Sequence, residues 1–159
     1  MSAREQAISV ETDLDAPADR VWQAMLLPAT FLHVCRPLLR VPALEGRIDQ
    51  LTEGETGRGW LWAFGLVPAY RHTITVVRVD PGAGTIATHE HGGPLRSWDH
   101  TLAVTPLGPD RSRYRDTVVV DAGPLTPVVA RIAVAIYRHR QRRWRALARA
   151  HLRTGVDTG

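Results

Sequence analysis

His100 and Asp116 are the residues of this sequence with the clearest chemical potential. A carboxylate beside an imidazole fixes its tautomer and raises its basicity, which is the arrangement general acid–base chemistry uses. Pairing Val104 with Ser112 across the turn at 106–110 sets His100 opposite Asp116 and Leu102 opposite Tyr114. Directly opposed side chains lie about 5 Å apart at Cβ. Pairing His91 with Leu95 sets Glu90 opposite Arg96 and Thr88 opposite Trp98, and pairing Arg78 with Ile86 sets Ile74 opposite Glu90. These registers put His72, Glu90, His100, Tyr114 and Asp116 on an otherwise apolar face, with Arg96 near a strand end. A buried polar group needs a partner or a task. The plainer reading of the His100–Asp116 pair is a contact that orders two strands.

Other chemical motifs carry less. His89 and His91 share one strand face, as two metal ligands would, but that face is rich in Thr and Arg and offers no third ligand. Glu90 points the other way. On the assumed registers it lies four residues from the position facing His100, about 13 Å at strand rise. No metal and no cofactor is expected. Gly82-Ala-Gly84 and Gly54-x-x-Gly57 precede strands, whereas phosphate cradles precede helices. There is no Gly-x-Ser-x-Gly nucleophile turn, and Cys35 sits in an apolar stretch as a core thiol.

The elements that position these residues follow from periodicity. Ile8, Val10, Thr12 and Leu14 alternate as a strand. Asp15 as N-cap and Pro17 in the first turn open a short helix carrying Val21, Trp22, Met25 and Leu26, which Pro28 ends. A second short helix is expected over 30–39. Period two then governs six strands, at about 44–53, 58–66, 70–79, 84–91, 95–105 and 112–121, separated by Gly/Pro turns. Their short connections imply an antiparallel meander. The even-numbered face carries Ile74, Val76, Ile86, Trp98, Leu102, Val104, Val118 and Val120, and by parity Trp60, Trp62 and Phe64. Thr126 as N-cap with Pro127 behind it starts a long helix over about 127–152. Its apolar stripe reads Leu125, Val129, Ile132, Ile136, Trp144 and Leu147, widened by Val128 and Ala133. Residues 156–159 are expected to fray.

Length and composition set the bounds. At 159 residues, with 44% hydrophobic and 23% charged side chains, the chain suits one globular domain over 1–159. A single cysteine excludes an internal disulfide and a cysteine zinc cage. Without a secretory leader pattern or an apolar run long enough to span a bilayer, a cytoplasmic protein with no integral membrane segment is expected. All twenty basic residues are Arg, and eight of them lie between Arg131 and Arg153 with no acid among them. The remaining chain is net acidic, so the formal charge of +4 describes one segment. That argues against a nucleic-acid-binding domain. The one basic surface open to RNA, an anionic membrane or a partner protein is the helix end with Arg138, Arg142, Arg145 and Arg149.

Three stretches resemble one family. Asp15-Ala-Pro-Ala-Asp-Arg-Val-Trp22 after an alternating strand is similar to the opening of START-like (SRPBCC) proteins. So is Ser97-Trp-Asp-His-Thr-Leu102 followed by Tyr114-Arg-Asp116, and Tyr137-Arg-His-Arg-Gln-Arg-Arg-Trp144 resembles the closing helix of polyketide cyclase/dehydrase-like members. The resemblance implies an α+β helix-grip fold, in which a curved seven-stranded antiparallel sheet wraps a long C-terminal helix in the order β-α-α-β-β-β-β-β-β-α. It implies a cavity between sheet and helix for a small hydrophobic or aromatic molecule, and on the inward face read above its expected contacts are Trp60, Trp62, His72, Glu90, Arg96, Trp98 and Tyr114. As a polyketide-type cyclase or dehydratase, the protein would use His100 as base, oriented by Asp116, with Tyr114 or Arg96 steadying an enolate. Fold alone does not choose between carrier and enzyme.

Overall fold

The structure, a computed structural model, describes residues 5–153. The expected tail at 156–159 lies outside the described residues. Seven strands form one antiparallel sheet: β1 (Gln6–Leu14), β2 (Leu39–Arg40), β3 (Thr56–Ala63), β4 (Val67–Asp80), β5 (Thr85–Gly92), β6 (Leu95–Gly108) and β7 (Arg111–Asp121). Their spatial order is β1-β7-β6-β5-β4-β3-β2, and the sheet curls into a half-barrel. Helices α1 (Ala18–Met25) and α2 (Pro28–Cys35) follow β1. The long helix α3 (Thr126–Leu147) crosses the concave face and ends in a π-helical turn, Ala148–Leu152. This is the α+β helix-grip architecture. No helix among the described residues is long and apolar enough to cross a membrane.

Several local expectations need correction. The strand expected at 44–53 does not form. Pro42–Leu44 is a 3-10 turn, and Gly46 and Gly54 take left-handed φ values of 77° and 84° that bend the chain out of extended form. That loop is tied down by the Leu51 amide donating to the Leu26 carbonyl at 2.8 Å and by the Arg47–Glu55 ion pair. The seventh strand is instead the two-residue β2. Asp15 does not cap α1: Pro17 holds the N-cap position, and Asp15 pairs with Arg149 Nε at 3.2 Å. The second helix spans Pro28–Cys35, with Pro28 in its first turn, so Pro28 starts α2 as well as following α1. Thr126 does not cap α3 either. Its Oγ1 accepts from the Ala122 amide at 2.9 Å and donates to the Gly123 carbonyl at 2.8 Å, which stitches the preceding turn.

The meander registers shift without changing faces on β6 and β7. Leu102 pairs with Asp116 and His100 with Val118, because the two strands pair on past a bulge at Pro106/Gly108 to a tight turn at Pro109 and Asp110. The shift is two residues, so the even set stays inward; a shift of one would have reversed it. On β4 the assumed pairing of Ile74 with Glu90 holds, and a bulge at Val77 turns Val79 inward. On β3 the parity expectation fails. Gly57, Gly59 and Leu61 pair with the inward residues Ile74, His72 and Tyr70, while Trp60 pairs with Arg71 and faces out, 50% exposed. Phe64 is exposed as well, at a left-handed turn position.

The stripe of α3 is also rotated from expectation. Its buried line is Thr126, Ala130, Ala133, Tyr137, Arg140, Gln141, Trp144 and Ala148, while Leu125, Val128 and Ile132 are exposed. Small Ala130 and Ala133 let the helix approach the sheet closely. Gln141 donates to the Val10 carbonyl and Arg145 to Thr12 Oγ1 at 2.8 Å, pinning α3 to β1.

The core falls into two clusters. One gathers Leu14, Val21, Met25, Val34, Val76, Ile86, Tyr114 and Trp144, the other Leu95, Val118, Val120, Ala130, Ala133 and Tyr137. Along β7, Asp116 lies between the two, and along α3 so does Arg140. The β3 parity is testable by stability. A Cβ on Gly57 would meet nothing within 4 Å, so Gly57→Val should raise the unfolding free energy by about 1 kcal/mol through added strand propensity and burial. Trp60→Thr should change it by less than about 0.5 kcal/mol, as exposed sites do. Denaturant melts check both, and a loss of several kcal/mol in Trp60→Thr would put that indole inside.

Candidate functional site

A two-lobed cavity opens between the concave sheet and α2 and α3. One lobe, of about 90 Å³, is walled by Met25, Leu44, Leu51, Val76, Ile86, Leu102 and Trp144. The other, of about 210 Å³, is walled by Leu39, Leu61, Tyr70, Leu95, Trp98, Val129, Ile136 and Tyr137. Phe31, Val41, His72, Ile74, Glu90, His100 and Arg140 line both, so they form the waist where the lobes meet. The first lobe owes its room to β3, where Gly57 and Gly59 present no side chain. A Cβ at Gly59 would sit 3.0 Å from that of Ala43. Apolar walls around a few converging polar groups are the usual make-up of a small-molecule site.

The waist holds two histidine–carboxylate pairs. His100 Nε2 donates to Asp116 Oδ1 at 2.9 Å, and Tyr114 Oη donates to the same oxygen at 2.9 Å. Because a carboxylate only accepts, this bond places the His100 proton on Nε2 and leaves Nδ1 as the lone-pair nitrogen of the neutral ring. His72 Nε2 donates to Glu90 Oε2 at 2.8 Å, and Thr88 Oγ1 to Glu90 Oε1 at 2.7 Å. Thr88 pairs with His100 across β5 and β6, so Glu90 lies two residues along from His100, about 7 Å at strand rise. The four-residue separation expected from sequence was too long.

Arg140 completes the cluster from α3. Its Nη2 lies 3.7 Å from Asp116 Oδ1, and its guanidinium carbon sits 5.0 Å from the Tyr137 ring centre and 5.4 Å from that of Phe31. Burial pushes the Asp116 carboxyl up, but Arg140, His100 and Tyr114 together outweigh it and hold the group below the usual carboxylate range. Burial likewise opposes ionisation of Glu90, and His72, His100 and Thr88 overcome it. Burial opposes the Arg140 charge too, and Asp116 more than restores it. Burial pushes the Cys35 thiol up to about 11, so it is an inert wall of the larger lobe.

His72, Glu90 and His100 therefore meet at the waist, and Trp98 lines the larger lobe. Asp116 and Tyr114 stand behind His100 and do not line the cavity; the Tyr114 hydroxyl is committed to Asp116. Trp60, Trp62 and Arg96 are not cavity residues. The first faces out, the second shares its parity on β3 one step beyond the inward Leu61, and Arg96 is exposed beside Gly123. Arg140 is the residue sequence reasoning missed, having entered only as one of the eight arginines between Arg131 and Arg153. Its signal was helical spacing, three residues from Tyr137 and four from Trp144. Of the other arginines of α3 and its π turn, Arg143 donates to the His33 carbonyl, Arg145 to Thr12 and Arg149 to Asp15. Two of the four arginines of the basic surface, Arg145 and Arg149, are thus engaged with β1 and the residue after it, and Arg138 and Arg142 are exposed. On the outer face, His89 Nδ1 pairs with Asp99 at 2.6 Å. Among the described residues no three His, Cys, Asp or Glu side chains converge to hold a metal.

The Asp116 charge should be visible in stability. Asp116→Asn keeps the shape but strands the Arg140 charge, and should cost about 3 kcal/mol of unfolding free energy. A carboxyl held low in the folded state contributes stability in full above its unfolded pKa of about 4 and loses it as pH falls through the lower folded value. The wild-type stability curve should therefore fall more steeply below about pH 4 than that of Asp116→Asn, as measured by denaturant melts across pH.

No curated protein matches the chain. Norcoclaurine synthase from Thalictrum flavum, solved in complex with dopamine and hydroxybenzaldehyde, superposes with a TM-score of 0.69 at 15% identity, over 92% of this chain and 88% of that one. The Zhui aromatase/cyclase from Streptomyces sp. R1128 does so with a TM-score of 0.65 at 15% identity, over 94% and 97%. A START superfamily protein from Mycobacterium smegmatis gives 0.62 at 17% identity, over 90% and 97%. At such identities the likeness is one of fold, and it is the START-like fold that the sequence resemblance implied. The family profile "Domain of unknown function (DUF8410)" matches residues 12–149, nearly the whole of the described fold, and the chain belongs to that family.

Proposed function

We propose that this protein binds a small hydrophobic or aromatic molecule in the cavity between the sheet and α3. The observation that carries the reading is the two-lobed cavity itself, apolar on both sides of a buried polar waist. A fold built only for its own stability would fill such a space, since each void forfeits packing. The structural relatives add that this fold hosts small organic molecules elsewhere, as the dopamine and hydroxybenzaldehyde complex of norcoclaurine synthase illustrates. The Arg-rich helix gives less support to RNA, membrane or partner contact, because Arg145 and Arg149 of that surface already hold Thr12 and Asp15, which leaves Arg138 and Arg142.

The neutral fluorophore 1-N-phenylnaphthylamine tests the reading. It should bind saturably at one per chain, and Gly57→Leu, which grows a side chain into the smaller lobe, should weaken it at least about tenfold while the protein stays folded. Absence of saturable binding by the wild type would remove the proposal.

The buried His100–Asp116 hydrogen bond favours a second reading, acid–base chemistry on the bound molecule. Here His100 Nδ1 takes a proton, Asp116 orients the ring and stabilises its protonated form, and the donor placed to steady a developing oxyanion is Arg140 rather than Arg96 or Tyr114. Native mass spectrometry of protein purified from its own host would name the co-purifying molecule. His100→Ala and Asp116→Asn should then each weaken its binding or turnover, with a coupling of about 1 kcal/mol or more in a double-mutant cycle. Additive, near-zero effects in folded variants would leave the pair as a strand-ordering contact.

A further inference from the structure

Arg140 has more donors than the protein uses. It is only 4% exposed and lines both lobes. Its closest carboxylate oxygen is 3.7 Å away, beyond hydrogen-bond distance, and its buried Nε has no acceptor. A guanidinium carries five N–H donors in a plane. Phe31 and Tyr137 offer ring faces to its charge but no in-plane acceptor. The other groups of the waist are partly engaged: Glu90 is met by His72 and Thr88 and Asp116 Oδ1 by His100 and Tyr114, while His72 Nδ1 and Asp116 Oδ2 have no partner. An unpaired donor in so buried a position is costly, and an acceptor brought by a ligand would relieve it.

The position of Arg140 limits what that ligand can be. The guanidinium stands at the waist, with Met25, Val76 and Leu102 on one side and Leu61, Trp98 and Ile136 on the other. The two carboxylates already outnumber the one guanidinium, which favours a neutral polarised oxygen over a ligand carboxylate. We infer that the ligand carries a central ketone, enol or phenol oxygen between two apolar arms, and that this oxygen accepts hydrogen bonds from Arg140 while each arm fills one lobe. The inference rests on the cavity being a ligand site, and it adds where the polar atom of the ligand must lie.

A matched pair of probes tests it. 1,3-Diphenylpropan-2-one and 1,3-diphenylpropane share a carbon skeleton and differ by the central carbonyl. Binding is read from the indole N–H resonances of Trp98 and Trp144, one in each lobe. Water solvates the ketone better, so a cavity without a donor should favour the hydrocarbon at least about tenfold. The wild type should instead bind the ketone at least as tightly as the hydrocarbon, and Arg140→Met should reverse that order. Because Arg140→Met strands the Asp116 charge, the double variant Arg140→Met with Asp116→Asn, which removes both charges, should reverse it too. A wild type that binds both probes but prefers the hydrocarbon would overturn the inference and leave the cavity reading standing. An order unchanged in the folded variants would also overturn it. If neither probe moves either indole resonance, the cavity reading falls and the inference with it.

Discussion

A negative charge buried on the concave face of the sheet governs the rest of this structure. Asp116 is 1% exposed, and a carboxylate so placed persists only if positive charge and donors surround it. Three elements answer that demand. Strand β6 brings His100, β7 itself brings Tyr114, and α3 brings Arg140 from across the interior. The long helix must therefore sit in one rotation, with Arg140 down and the solvated arginines outward. Gln141 and Arg145 hold that rotation against β1.

The same demand explains why the core is divided. A continuous apolar core would leave no room for the polar cluster, so two apolar clusters pack at its ends. Tyr114 and Val118 flank Asp116 on β7, and Tyr137 and Trp144 flank Arg140 on α3, one member of each pair in each cluster. The cavity occupies the division. Gly57 and Gly59 widen it from β3, and Leu61, Ile136 and Val129 wall it further out. Stability is thus invested at the two ends, while the middle supplies polar groups positioned in an apolar surround. That division of labour is common where a fold serves a ligand.

Most of the architecture was legible because hydrophobic period tracks element type over long stretches. Strands β4 to β7 and the long helix lie close to where alternation and the Thr126-Pro127 signal put them. The meeting of His100 with Asp116 survived a wrong register because the error was two residues, which preserves the face. Three things were not legible. The loop over 45–55 alternates weakly, and only tertiary ties and two left-handed glycines show that it is not a strand. Trp60 has the size and parity of a core residue, but the inward positions of β3 belong to glycines, whose contribution is space, and a hydrophobic pattern does not register space. Arg140 carries a charge that a pattern reading assigns to solvent, although its neighbours in the helical period are Tyr137 and Trp144.

The central claim is that the Arg140 guanidinium is held inside the protein against Asp116 rather than in water. Solvent exchange of arginine Nε–H groups, followed by 15N NMR near neutral pH, tests it most directly, with Arg140→Lys assigning the resonance. The account predicts one protected Nε–H, lost in that variant, that exchanges at least about tenfold more slowly than those of exposed arginines such as Arg138 and Arg142. An Arg140 Nε–H that exchanges as fast as theirs would contradict it, because a guanidinium open to water needs neither Asp116 nor the hollow around it.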